Sequence, residues 1–517
     1  MKDAKLLWVL YWITTLTRID AYHFPVSSSR RRVSPLQATK TRVGRQNRIQ
    51  ELLDWAKNTA DIKAGGIELK SSPESGLGWF ATRTIPANSV LLSVPSALVL
   101  SVEGTDGPPQ VEKLVDRSIV RTLPWYARMS LYLHYLSEKD PTISDVNIQP
   151  WLDSLPTQFD TPLHWGSLKE LQYPYMEVAV AKQKKDWEAY HKQMQGVLSW
   201  EDFVWGCECA RSRAFSGAYT GGAFNPRIYV FTLLLVMLYV GLNLGTLEQA
   251  ANGAGVVVSA SIFKDFVVPK LFKQQRYIIC PVIDMANHQS IGSGGEVSFE
   301  YFTNAYSLAS SKEIPAGKEV TISYGKRSND QLLQYYGFVE QDNSNDVYIL
   351  PALREWDIET IEKNCGRKVA AGRLAKLERA GLLGSTVENA AAKSNEEAAN
   401  AAGGVVVKRG SGVDPAVLQA LRALLSTDEE WSAASEAIGN FVEPVNPENE
   451  KCARIAARTA LEQELSNKAT TLEEDETLLQ RMESMKKATD SSVEDLLAIQ
   501  FRIEKKKLLQ ETIDRLR

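Results

Sequence analysis

The stretch that decides the fold is KEIPAGKEVTISYGKRSNDQLLQYYGFV, residues 312–339. Alternating apolar and polar residues at its start predict a strand that ends at Tyr324, directly before a glycine. A helix follows and ends in Tyr336, Gly337 and Phe338. The aromatic side chains of Tyr324, Tyr336 and Phe338 therefore fall within a few turns of chain, which suits either core packing or a binding site.

A second informative stretch is CPVIDMANHQ, residues 280–289. An apolar run brings Asp284, Asn287 and His288 together at its end, and polar groups in that position are typical of functional sites. Asp284 and His288 have the i, i+4 spacing of metal ligands, but no matching histidine or thiol pair completes such a site, so we expect no metal. The amide of Asn287 and the ring and backbone of His288 suit an adenosine and its amino-acid tail.

Two weaker signals lie upstream of that stretch. Gly76, Leu77 and Gly78 form a turn between predicted strands, where missing side chains let a nucleotide-like cofactor approach the backbone. Arg213 ends a helical stretch, where it can pair with a carboxylate or simply lie on the surface. Neither signal identifies a function by itself.

The periodicity along the chain predicts an α+β protein. Short alternating strands begin at residue 67, a helical insertion occupies about 106–202, and strand patterns return at about 276. Residues 50–345 are therefore expected to form one β-rich domain split by helices. Residues 346–517 are expected to form an all-helical domain with a mobile Ala/Gly/Asn-rich loop at 388–414.

A second insertion, at about 220–275, contains the uncharged run IYVFTLLLVMLYVGLNLGTL, residues 228–247. Its length suits a membrane span, but a single crossing would separate Gly76 from Tyr324 by a bilayer. The sequence therefore favours a helix that is either buried or in contact with a membrane surface.

Taken in order, SGLGWFATRTIPANSVLLSVP (75–95), ARSRAF (210–215), CPVIDMANH and the segment at 312–339 resemble the successive motifs of SET-domain protein methyltransferases. The helical insertion and the helical carboxy-terminal region, with FRIEKKKLLQ at 501–510, are similar to the Rubisco large-subunit lysine methyltransferase group. The resemblance implies a pseudoknotted SET domain, S-adenosylmethionine as cofactor and methylation of a lysine in a non-histone protein. A protein-histidine methyltransferase and a non-catalytic binding module with a vestigial site remain the alternatives.

The resemblance also implies roles for individual residues. Tyr324 would be the catalytic residue, and Asp284 would lie on the substrate side together with Tyr336 and Phe338. The residues implied in cofactor binding are Ser75, Gly76, Leu77, Gly78, Arg213, Asn287, His288, Tyr336 and Phe338.

Composition restricts the partners. The net charge is −4, so no overall basic field favours nucleic acid. We expect a monomer that binds a protein substrate through the SET groove and the helical domain, with membrane-surface contact through 228–247.

The first 49 residues have the pattern of a targeting leader. Lysines precede a short apolar run at 6–16, and an Arg- and Ser-rich stretch without acidic residues extends from 21 to 50. This signal-plus-transit pattern predicts a plastid protein. The alternative is a membrane anchor in the secretory pathway.

Overall fold

The computed structural model describes residues 42–72, 76–105, 107–194, 196–216, 226–242, 244, 246–262, 276–300, 303–370, 372–380, 404–485 and 493–517. The predicted leader falls on residues 1–41, which lie outside this description, and on the start of helix α1 (Arg42–Asn58). Helix α1 thus begins before residue 49, and Ile49 packs against the core in which Leu52 and Trp55 are buried.

Short antiparallel sheets form the first part of the molecule. Their strands are β1 (Lys63–Ala64), β2 (Ile67–Ser72), β3 (Gly76–Ala81), β4 (Val90–Pro95), β5 (Leu100–Glu103), β6 (Thr142–Ile143), β7 (Val146–Asn147), β8 (Phe215–Ser216), β9 (Arg276–Ile279), β10 (Gly295–Glu300) and β11 (Ala305–Ser310). The sheet orders are β1-β4-β11-β10, β2-β3, β5-β9-β8 and β6-β7. Because β4 pairs with β11 and β5 with β9, the β domain resumes after its insertions, as the sequence predicts.

Helices fill the first insertion. They are α2 (Pro109–Glu112), α3 (Arg117–Thr122), α4 (Trp125–Glu138), α5 (Gln149–Leu152), α6 (Pro174–Gln193) and α7 (Trp200–Arg213). The Ser199 hydroxyl caps α7 by accepting from the backbone of Asp202, and the helix ends at Arg213, where the sequence places the end of a helical stretch. Its inner face packs against α4, where Gly206 lies so close to Ser130 that a larger side chain would collide with it.

The second insertion contains α8 (Pro226–Gly241) and α9 (Leu247–Ile262), which pack against each other. We call residues 226–262 the apolar hairpin. Its large apolar side chains are exposed, as at Leu234 and Leu238, so the buried alternative for 228–247 is wrong. Within the described ranges, none of the helices combines the length and apolar character needed to cross a membrane.

A second hydrophobic core holds the carboxy-terminal region together. Its helices are α10 (Asn329–Tyr336), α11 (Ile358–Cys365), α12 (Arg373–Arg379), α13 (Pro415–Leu424), α14 (Asp428–Ala433), α15 (Pro447–Ser466), α16 (Leu472–Met485) and α17 (Val493–Leu516). This region also contains a small sheet, β12 (Val347–Leu350), β13 (Val405–Lys408) and β14 (Gly412–Val413). The mobile-loop prediction for 388–414 is therefore wrong from 405 onward, because the β-branched run at 405–407 pairs with β12; residues 388–403 lie outside the description.

Buried charges join α17 to α10, the helix that follows Tyr324. The Lys505 ammonium donates to Asp330 of α10 at 3.1 Å, to Asp346 at 2.8 Å and to the Val347 carbonyl at 2.7 Å. Burial raises the pKa of Asp330 to about 6, against the opposing effect of Lys505. Since removing one partner would leave a buried charge uncompensated, this network fixes α10, and Tyr336 with it, on the carboxy-terminal region.

Candidate active site

Residues 318–322 bring the two informative stretches together. On one side Val320 donates to the Trp79 carbonyl of β3 at 2.7 Å. On the other side Ile322 donates to the Asn287 carbonyl at 2.8 Å, and His288 and Ile322 form a parallel bridge. The chain that leads to Tyr324 thus lies between β3 and 287–289, as expected for a SET pseudoknot.

Gly76, Leu77 and Gly78, predicted as a turn, form the start of strand β3 because they pair with β2, and this segment meets Asn287 directly. The Asn287 amide donates to the Leu77 carbonyl at 3.2 Å and to the Glu319 carboxylate at 2.7 Å. A Cβ at Gly78 would collide with the Glu319 carboxylate and lie 2.6 Å from the Asn287 nitrogen, so a larger residue there would push these two side chains aside. Gly76 has φ +74°, the left-handed conformation that glycine adopts most readily. Ser75 lies outside the described residues.

Four rings form a contiguous cluster around Tyr324. Tyr324 stacks on His288 with centroids 4.8 Å apart and on Tyr336 with centroids 5.1 Å apart. Phe338 closes the cluster at 6.1 Å from His288 and 6.2 Å from Tyr336. The left-handed Gly337, at the end of α10, makes the bend that separates Tyr336 from Phe338.

The Tyr324 hydroxyl is held by the chain itself. It donates to the Ala286 carbonyl at 2.8 Å. Burial raises the pKa of this hydroxyl well above its usual range, and neighbouring Tyr336 adds to the effect. Tyr324 therefore remains protonated at neutral pH and acts as a hydrogen-bond donor.

His288 is locked in one neutral form. Its Nδ1 accepts the Tyr324 backbone N–H at 2.9 Å, which leaves the ring proton on Nε2, 3.1 Å from the Ser290 hydroxyl. Burial lowers the pKa of His288, and the nearby Glu340 carboxylate offsets only part of this. A neutral His288 therefore positions the backbone of Tyr324.

Arg213 points at the same segment from the end of α7. Its Nη1 donates to the Asp284 carboxylate at 2.8 Å and to the Asp284 carbonyl at 3.2 Å. Burial works against the charge of Arg213, but the Asp284 carboxylate outweighs it and raises the Arg213 pKa. The buried Nε of Arg213 lacks a hydrogen-bond partner within the described residues, which leaves a donor for an anionic group.

The Asp284 carboxylate is enclosed by other residues of the protein. Its side chain is fully buried, and the Trp151 indole lies 3.4 Å from both carboxylate oxygens. Burial raises the pKa of Asp284, and the ion pair with Arg213 opposes that shift. The carboxylate thus orients Arg213, and the substrate contact expected from the sequence stays a prediction.

The segment that carries these groups begins with a strained residue. Val282 has φ +74°, which is rare for a β-branched side chain. The Trp79 indole donates to its carbonyl at 3.0 Å and holds the turn from the β3 side. Such strain clusters at functional sites, where the surrounding structure enforces it.

Three groups of the site escaped the sequence reasoning: the Glu319 carboxylate, the Trp151 indole and the Ala286 carbonyl. Glu319 lies in the segment that leads to Tyr324, which forms isolated bridges to Phe80 and His288 rather than the predicted strand. Its nearness to the site could be inferred from the sequence, but its contact with Asn287 could not. Trp151 is 133 residues from Asp284 in sequence, and no local pattern links the two. A backbone carbonyl carries no residue-type signal at all.

The fold has counterparts among solved structures and protein families. Over 91% of both chains the structure superposes on the SET domain of LSMT, solved with lysine and AdoHcy, with a TM-score of 0.53 and 16% identity. The Rubisco LSMT substrate-binding family model matches residues 367–509. The resemblance to the Rubisco methyltransferase group is thereby confirmed, and so is the α+β SET fold with a helical carboxy-terminal region. The AdoHcy in that structure agrees with the expected cofactor.

Among curated proteins, the chain is similar to actin-histidine N-methyltransferases. It is 23% identical to the Xenopus tropicalis protein over 58% of this chain and 45% of that protein. It is 24% identical to the Mus musculus protein over 91% of this chain and 68% of that protein. The chain thus matches less than half the length of the frog relative. Both relatives come from animals, which have no plastids, so the plastid prediction is wrong.

Proposed function

We propose that this chain transfers a methyl group from S-adenosylmethionine to a side-chain nitrogen of a protein, with histidine as the first candidate acceptor. The observation that carries the proposal is the convergence of Tyr324, His288, Asn287 and Arg213 on one short segment of a SET fold. The names of the relatives favour histidine over the lysine expected from the sequence.

The chain offers a suitable cradle for the cofactor. The unpartnered Nε of Arg213 would bind its carboxylate, while Asp284 acts as the positioning residue for that arginine. The open space at Gly76 would allow its polar groups to reach the backbone. Asn287 and His288 together would hold the amino-acid and adenine ends of the cofactor.

In the reaction, the cofactor supplies a methyl group on a sulfonium: the acceptor nitrogen forms a bond to the methyl carbon, and the carbon–sulfur bonding pair stays on the leaving thioether. The residues contribute mainly alignment. The rings of Tyr336 and Phe338 would wall the acceptor side and exclude water. The Tyr324 hydroxyl, fixed beside the Ala286 carbonyl, would orient the acceptor and the polarised methyl hydrogens.

Histidine suits this site for a reason of acid–base chemistry. Its pKa of about 6.5 leaves most imidazole neutral and nucleophilic at pH 7. A lysine, with a pKa of about 10.4, must first be desolvated or deprotonated. Flat rings such as those of Tyr324, Tyr336 and Phe338 also match the shape of an imidazole.

Lysine is the second candidate, because the structurally similar LSMT domain was solved with bound lysine. Burial among the same three rings would disfavour the ammonium form and so supply the neutral amine. The carboxy-terminal match to a substrate-binding family supports a protein substrate in either case.

The test uses the full chain with methyl-tritiated S-adenosylmethionine and purified actin, followed by acid hydrolysis and amino-acid analysis. We expect the label in methylhistidine. Label in methyllysine would favour the second candidate. Calorimetry with parent and Arg213→Ala measures cofactor uptake separately, and uptake without transfer to any protein of an animal-cell extract would point to the non-catalytic module.

A further inference from the structure

The apolar hairpin plays no part in the site described above. Between Arg227 and Lys264 its sequence has a single charged residue, Glu248. Leu233 and Leu235 are 55% and 48% exposed, although two residues apart on a helix means nearly opposite sides. Helix α8 therefore exposes apolar side chains over most of its circumference, and only the side formed by Thr232, Val236, Tyr239 and Val240 is half-buried.

The distribution of apolar side chains around α8 indicates what covers the hairpin. A protein partner buries one face of a helix, and such a helix keeps polar residues on its other side. A helix that is apolar on every side belongs either in a protein core or in lipid, and α8 is not in the core. Lipid is the environment that surrounds a helix on all sides.

The way the hairpin is attached fits a membrane. The chain enters the insertion after β8 and returns through β9, and these strands pair with each other, Phe215 opposite Ile278. Both ends of the insertion are thus fixed next to one another, so contact with a bilayer leaves the whole SET site on one side of it. This removes the objection that a single crossing raises.

Length and charge define the mode of contact. A helix of 16 residues measures about 24 Å, short of the roughly 30 Å hydrocarbon core. Glu248 stands beside the turn between the helices, which makes insertion with the turn foremost costly. Apart from Asp265, the charged residues flanking the hairpin are basic: Arg227, Lys264, Lys270, Lys273 and Arg276.

We propose that the apolar hairpin is embedded in one leaflet of an anionic bilayer, parallel to its surface and below the headgroups, and holds the SET site at that surface. The apolar side chains supply the binding energy, and the basic flanks add attraction to anionic headgroups. This proposal is independent of the methyl acceptor and concerns where the protein works.

Vesicle flotation with the full chain tests it. We expect the chain to float with phosphatidylcholine/phosphatidylserine vesicles, and less with phosphatidylcholine alone or at high salt. The double change Leu234→Glu/Leu238→Glu should lower the partition coefficient at least about one hundred-fold, because each leucine contributes roughly tenfold. The matched control is Val442→Glu, an exposed apolar residue outside the hairpin, which should float like the parent.

Fold is monitored by the thermal unfolding transition, which should coincide in all three proteins, and calorimetry with S-adenosylmethionine checks the site independently. A parent chain that stays at the bottom of the gradient with both vesicle types overturns the proposal. So does a double variant that floats as well as the parent. A parent dimer that the double variant converts to monomer, without flotation of either, would instead make the hairpin a protein interface and refute lipid binding.

Discussion

Replacing Tyr324 with phenylalanine removes one hydroxyl group and keeps the ring. The stacking on His288 at 4.8 Å and on Tyr336 at 5.1 Å should survive, since both contacts involve the ring alone. What disappears is the hydrogen bond to the Ala286 carbonyl. The variant therefore separates the chemistry of the hydroxyl from the packing of the aromatic cluster.

The two effects differ in size. Loss of one buried neutral hydrogen bond should lower the free energy of unfolding by about 1 kcal/mol. If the hydroxyl orients the reacting groups, its removal should raise the barrier by about 2.7–4 kcal/mol, a rate loss of roughly one hundred- to one thousand-fold. Cofactor affinity should change little, because the substitution leaves Arg213 and the glycines at 76 and 78 in place.

The assay is single-turnover methyl transfer at saturating cofactor and acceptor, alongside calorimetric cofactor titration and denaturant unfolding. Tyr348→Phe is the matched control, since its buried hydroxyl bonds Glu464 away from the site. The control should lose stability and keep the parental rate. If Tyr324→Phe transfers methyl at the parental rate, Tyr324 is a packing residue and the assignment of the site is wrong.

Three further predictions concern the support of the site. Asp284→Asn should lower the free energy of unfolding by about 3 kcal/mol in denaturant titrations, because it leaves the buried Arg213 charge without its partner. The double variant Arg213→Met/Asp284→Leu should regain much of this stability but not the cofactor affinity. Gly78→Ala should weaken cofactor binding in calorimetry by pushing Asn287 aside, whereas Gly253→Ala, whose Cβ meets open space on α9, should not. Burial lowers the pKa of His288 in the folded state, so just below pH 6.5 only the unfolded chain binds a proton at this imidazole. The free energy of unfolding should therefore fall as the pH drops through that window, and it should fall less in His288→Gln.

Local signals located most of the site. The helix ending at Tyr336 and the polar groups at 284–288 stand where the sequence predicts them, whereas the predicted strand before Tyr324 is only a series of isolated bridges. The serine that caps α10, Ser328, accepts from the Gln331 backbone and so marks that helix start locally. Order and spacing of these motifs were enough to identify the SET fold.

Other features depended on residues distant in sequence. The run at 405–407 reads as part of a low-complexity loop, and only the exposed edge of β12 makes it a strand. The contacts of the Asp284 carboxylate could not be predicted, because Trp151 and Arg213 reach it from other elements. An apolar run such as 228–247 has the same periodicity whether it is buried or exposed, and its neighbours alone decide which.

The sequence by itself therefore determined the element types, the motif order and the residues that converge on the site, because periodicity, caps and glycine requirements act over a few residues. Tertiary structure decided which side chain pairs with which. Examples are the Asp284–Arg213 ion pair, the Lys505 network that fixes α10, and the exposure of the apolar hairpin. These contacts close loops of tens to hundreds of residues, and their energies arise from burial and charge pairing that no short stretch of sequence contains.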